Sequence, residues 1–115
     1  MTTIIICKDN QNTYRGFICM GHAGYAKKKL FGGKSPDILC SAISMMVIST
    51  MNSLEDLAGE KLHATLNEET GFIKCDFESV LQEKSVFLMD SMVYALENLS
   101  KKYGEQYLQV KFEEV

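Results

Sequence analysis

Two side chains in this sequence have the chemistry of a nucleophile and a base: Cys40 and His22, on either side of a glycine- and lysine-rich stretch. Cys40 falls in the first turn or so of a predicted helix announced by Ser35-Pro36-Asp37. There the helix dipole and free backbone N–H groups favour a thiolate. The same N–H groups can hold the oxyanion formed when a thiolate attacks a carbonyl. His22 stands at the end of a predicted strand, and an imidazole there can take the thiol proton and return it to a leaving amine. Both residues also have plainer readings. Cysteine in an apolar helix is often a small, inert core residue, and a histidine at a strand end is commonly tied to backbone.

Asp37 and Ser44 share a helix face with Cys40 and are the candidate supporting residues. Asp37 suits the positive end of the helix dipole; in a site it would orient His22 or hold a substrate amine. A carboxylate beside Cys40 disfavours the thiolate unless a cation such as protonated His22 stands nearby. Ser44 either hydrogen-bonds the thiol or the histidine, or bonds back within its own helix. Gly21, Gly24, Tyr25, Phe31, Gly32 and Gly33 belong to the stretch read as a gate over the pair. His63, mid-strand with no acidic or thiol neighbour in sequence, reads as a solvated histidine. Cys7, Cys19 and Cys75 read as strand packing, and Met45, Met46 and Met51 as core or subunit contact.

The four cysteines form no Cys-x-x-Cys pair. Cys19 and His22 would point to opposite faces of a continuing strand and could share a metal only if a turn intervened, so no metal is expected; no cofactor is expected either. A net charge of −3 over 115 residues gives no case for general nucleic-acid binding. Lys27, Lys28, Lys29 and Lys34 are a local exception, most simply a solvated loop. They also define the rival reading: a non-catalytic module that binds an acidic or RNA-rich surface through this loop. No apolar run nears a membrane span, and Met1 to Cys7 lacks the features of a signal peptide. The expectation is a cytoplasmic chain with reduced thiols.

The elements that must position the pair follow from periodicity. Thr2 to Lys8 and Thr13 to Met20 read as a hairpin. Ala26 to Lys34 reads as a flexible loop. Ile38 to about Leu57 is a helix, apolar almost all round at first and therefore expected at the centre; Leu54 and Leu57 then face inward, and Gly59 terminates it. Lys61 to Asn67 and the strand through Ile73, Cys75 and Phe77 form a second hairpin around a turn from Glu68 to Gly71. A second long helix carries Leu81, Leu88, Met92, Leu96, Leu99 and Tyr103 and ends near Gly104. Leu108, Val110 and Phe112 alternate in a closing strand. The order β-β-α-β-β-α-β predicts one α+β domain over residues 1–115, a mainly antiparallel sheet with two long helices on one face.

Gly21-His22-Ala23-Gly24-Tyr25-Ala26, followed by Asp37-Ile38-Leu39-Cys40-Ser41-Ala42-Ile43-Ser44, resembles the signature pair of the ribosomal-processing cysteine proteases, the Prp family. The likeness extends through Asn52-Ser53-Leu54 and covers essentially the whole chain. It implies a cysteine endopeptidase that removes a short N-terminal extension from bacterial large-subunit ribosomal protein twenty-seven, cutting after an aromatic residue. It implies His22 as base, Cys40 as nucleophile and Asp37 and Ser44 in support. It also implies a homodimer, with a glycine-containing loop that orders around a ribosomal protein precursor. The segment between His22 and Cys40 is longer here than the family pattern by several residues. Added loop length costs only about 0.6 kcal/mol per doubling and leaves the expected fold intact.

Overall fold

The computed structural model describes residues 1–23 and 38–115. The gate residues Gly24, Tyr25, Phe31, Gly32 and Gly33, the lysine loop, the Ser35-Pro36 helix start and Asp37 lie outside the described residues. The chain runs β1 (Thr2–Lys8), β2 (Tyr14–Met20), α1 (Ile38–Asn52), a π-helical turn (Ser53–Leu57), β3 (Leu62–Asn67), β4 (Phe72–Phe77), α2 (Glu83–Tyr103) and β5 (Leu108–Glu114).

The strands form one sheet in the order β3-β4-β2-β1-β5. Both hairpins are antiparallel, and β2 joins them by pairing antiparallel with β4. Only β5 departs from this pattern, lying parallel to β1 at the far edge. Strand alternation puts Ile4, Ile6, Phe17, Cys19, Ile73, Cys75, Phe77 and Leu108 on one buried face. Leu39, Ile43, Val47 and Met51 of α1 and Met89, Met92, Val93 and Leu96 of α2 complete the same core. The single α+β domain with both helices against one sheet face agrees with the periodicity.

The first helix differs from its sequence reading in three respects. It is apolar on every side, yet only one stripe of it is buried; Ile38, Met45 and Ile48 face outward. A helix laid on a single sheet has one covered face, and composition cannot say how many layers will cover it. The α-helical ladder also stops at Asn52. From there an Ala58 N–H donates to the Ser53 carbonyl at 3.0 Å, one residue further back than in an α-helix. This wider turn carries Leu57 off the inward face: Leu54 is fully buried whereas Leu57 is 79% exposed. Finally, although the sequence holds no long uninterrupted apolar run, Ile38–Leu57 is long and apolar enough on average to cross a membrane. Its scattered serines, threonine and asparagine break the run without lowering the average far. Here the segment lies on the sheet.

A buried carboxylate fixes the start of α2. The Gln82 N–H donates to Glu60 Oε2 at 3.0 Å, and the Gln82 side-chain amide donates to the Ala58 carbonyl at 2.9 Å. Burial alone would push the Glu60 carboxyl up, but the polar groups of Ser85 and Gln82 and the Lys84 charge hold it below its usual range. Its native-state value being lowered, its contribution is complete above the ordinary carboxylate range and is lost as pH falls through the lowered value. Glu60→Gln is therefore expected to destabilise the fold by about 0.5–1 kcal/mol at neutral pH. In urea titrations across pH, that difference should be full at neutral pH and shrink progressively as pH falls below the ordinary carboxylate range.

Candidate active site

The end of β2, the first described turn of α1 and the turn between β3 and β4 meet at one place. Met20 closes β2, and Gly21 then takes φ +82°, which releases the chain from strand geometry. The Thr2 hydroxyl donates to the Gly21 carbonyl at 3.4 Å and ties this exit to the start of β1. Ala23 is buried behind the exposed His22, so the segment is anchored on both sides of the imidazole.

Cys40, half-buried, projects from α1 with Sγ 3.5 Å from His22 Nδ1. The second ring nitrogen of His22, Nε2, lies 3.0 Å from the Glu69 carbonyl oxygen. A carbonyl can only accept, so in the neutral ring Nε2 carries the proton and Nδ1 presents a lone pair to the thiol. Sequence spacing could not bring Cys40 and His22 together; the fold does.

A cleft of about 260 Å³ opens beside the pair, walled by Ile43, Ile48, Leu66, Phe72 and Ile73, with Ser44, Asn67 and Glu68 adding polar atoms. Ser44 thus reaches the site from the α1 side. Among the described residues no three His, Cys, Asp or Glu side chains are grouped so as to hold a metal ion. His63 stands elsewhere, exposed, with Nε2 3.6 Å from Glu78 Oε1. It therefore has the acidic neighbour that its own strand did not reveal, because the neighbour comes from beyond the end of the paired strand β4.

The other cysteines are held as thiols. Burial, reinforced by the nearby Cys40, pushes Cys19 up to about 11. Burial and the Asp76 and Glu55 charges push Cys75 up to about 12. Burial followed by Glu113 and Asp76 raises Cys7 as well. Of the three, Cys19 also lines the cleft, a position its packing role did not announce.

Sequence reasoning missed the contribution of the second hairpin. Leu66, Asn67, Glu68 and Phe72 wall the cleft, and Glu69 touches the imidazole across 47 residues of sequence. The turn from Glu68 to Gly71 was visible there. Nothing in it pointed towards His22.

A thiol held against one nitrogen of an imidazole whose other nitrogen is anchored, beside an apolar cleft, is the arrangement of a thiol-dependent hydrolase. The model of the cysteine protease Prp family matches residues 1–108, and the chain belongs to that family of cysteine proteases. No match was found among curated proteins. Two crystal structures of an essential ribosomal processing protease Prp from S. aureus share the fold. One, with a covalently linked product peptide, has a TM-score of 0.83 at 17% identity, covering 98% of this chain and 100% of that one. The other, with a substrate peptide, has a TM-score of 0.82 at 16% identity over the same shares. A protein from Streptococcus mutans has a TM-score of 0.80 at 21% identity, covering 100% of this chain and 96% of that one.

Iodoacetamide at neutral pH is expected to label Cys40 first, with Cys19 and Cys75 reacting only on unfolding. Peptide mapping by mass spectrometry should show one dominant adduct on the native protein, absent from Cys40→Ala. Equal labelling of Cys19 would contradict the assignment.

Proposed function

We propose that this protease removes the N-terminal extension of bacterial large-subunit ribosomal protein twenty-seven, cutting after an aromatic residue, with Cys40 as nucleophile and His22 as general base. The observation that carries the roles is the 3.5 Å contact between Cys40 Sγ and His22 Nδ1 at the mouth of an apolar cleft. The cleft supports the preference for an aromatic side chain, since such a ring gains most from a water-excluding wall of aliphatic groups. The relative from S. aureus, a ribosomal processing protease crystallised with peptides, supports the choice of substrate.

In this reading His22 Nδ1 accepts the Cys40 thiol proton, and the thiolate attacks the scissile carbonyl. Backbone N–H groups at the start of α1 hold the oxyanion. Collapse breaks the C–N bond; the amine leaves with the proton from His22, and the acyl group remains on Cys40 as a thioester. His22 then takes a proton from water, whose oxygen attacks the thioester. The carboxylic product departs and the proton returns to sulfur. Ser44, which lines the cleft, takes the supporting role in this reading, and the steps balance without a metal or cofactor.

A peptide spanning the start of the host ribosomal protein, incubated with enzyme and read by mass spectrometry, tests the reading. Wild type should make one cut after an aromatic residue. Cys40→Ala and His22→Ala should each lower the rate by at least about a thousandfold, with far-UV spectra unchanged. A Cys40→Ala variant that still cuts would overturn the mechanism. Tight binding without cleavage by wild type, weakening with salt, would favour the non-catalytic module.

We infer in addition a cytoplasmic homodimer. All four cysteines are free thiols, which suits a reducing compartment. The outward Ile38, Met45 and Ile48 of α1 form an apolar stripe suited to a second subunit. Wild type should sediment at twice the chain mass and Met45→Glu at the chain mass. A monomeric wild type would remove this part of the proposal.

A further inference from the structure

We propose that the tip of the β3–β4 hairpin is a positioning element for His22, in which Asn67 and Gly71 set the Glu69 main-chain carbonyl against Nε2. The proposal rests on the reading of Cys40 and His22 as the working pair.

A histidine that must accept a proton from sulfur needs its bare nitrogen aimed at that sulfur. The ring of an exposed histidine turns freely about two side-chain bonds and exchanges its proton between nitrogens. A single contact with Cys40 cannot fix both properties. A second contact, to an atom that only accepts, fixes them together, and Glu69 O at 3.0 Å is such an atom.

The turn is built to present that oxygen. Asn67, the last residue of β3, accepts the Glu69 N–H on Oδ1 at 3.1 Å and the Thr70 N–H at 3.4 Å. The Thr70 hydroxyl donates to the Asn67 carbonyl at 3.4 Å. The turn's donors are thus gathered onto Asn67, while the Glu69 carbonyl is directed at the imidazole.

Gly71 then brings the hairpin against the His22 segment. It adopts φ +69°, and a Cβ on it would stand 2.5 Å from the Gly21 carbonyl oxygen and 3.2 Å from His22 Cε1. Gly21 is closed on its other side too: a Cβ there would meet the Met1 carbonyl oxygen at 2.5 Å. The backbone carrying His22 therefore lies between the N-terminal residue and the hairpin tip. Because Asn67 and Phe72 also wall the cleft, the body that receives substrate is the body that aims the base.

The test reads the imidazole directly. The chain has two histidines, so ¹⁵N-histidine labelling with a His63→Gln control assigns His22. In Cys40→Ala at about pH 8.5, where an ordinary imidazole is neutral, His22 should carry its proton on Nε2. Adding Gly71→Ala or Asn67→Ala should give a mixture of tautomers, and Asn67→Asp, which keeps an acceptor oxygen, should restore the single form. Gly59→Ala is the control for backbone strain: Gly59 has φ +71° with nothing within 4 Å of where its Cβ would stand, so the tautomer should not change.

With Cys40 present, Gly71→Ala and Asn67→Ala should slow Cys40 alkylation. They should also lower kcat on the order of 10- to 100-fold with a smaller change in KM. An Nδ1-protonated parent, or a tautomer and kcat indifferent to both substitutions, would overturn the proposal. Failure of wild type to cut any peptide would fall on the protease substrate instead, and the tautomer and alkylation readings would still decide for or against the hairpin.

Discussion

A neutral imidazole has one proton for two nitrogens, and His22 has both nitrogens engaged: Nε2 with a carbonyl that can only accept, Nδ1 with a thiol. That constraint makes the site directional. With the proton committed to one side, the lone pair on the other has one orientation left, towards sulfur. The remaining architecture can be understood as the means of holding two chain segments, each distant in sequence from His22, to within hydrogen-bonding distance of its ring.

The sheet supplies the rigidity for this. β2 lies inside the sheet with β1 and β4 on its two sides, so the strand that delivers His22 is hydrogen-bonded along both edges. The Tyr14 hydroxyl, at the other end of β2, donates to Asp90 on α2 at 2.6 Å and ties the strand to the second helix. The Phe17 and Phe77 rings meet edge-on at 6.4 Å in the layer beneath. α1 rests on this layer through Leu39 and Ile43, the neighbours of Cys40 in its helix, so burial of one stripe sets the height of the thiol above the strand end. Packing energy that serves stability thus also sets the distance between thiol and imidazole.

Much of this was legible in the sequence, and the physical reasons differ from one element to another. The β-branched residues of Thr2 to Lys8 and the alternation in Ile73 to Phe77 gave those strands. The histidine and cysteine blocks carried the family because chemistry restricts residue type. The parallel pairing of β5 was not visible, since its alternation reads alike in either direction. The exposure of Ile38 and Leu57 was missed for related reasons: composition does not reveal how many layers cover a helix, nor where an α-turn widens into a π-turn. Glu69 was invisible in a stricter sense. It acts through an atom that every residue possesses, so no side-chain pattern could mark it.

That last property has a bearing on how such a site evolves. A base oriented by an aspartate or asparagine side chain can lose its orienting group in one codon change. A base oriented by the main chain cannot, because every amino acid at position 69 brings the same carbonyl. The identity of residue 69 is then free to drift, and selection falls on the neighbours that bend the chain. Among related sequences, the orienting residue would be found not as a conserved letter but as a variable position enclosed between two constrained ones.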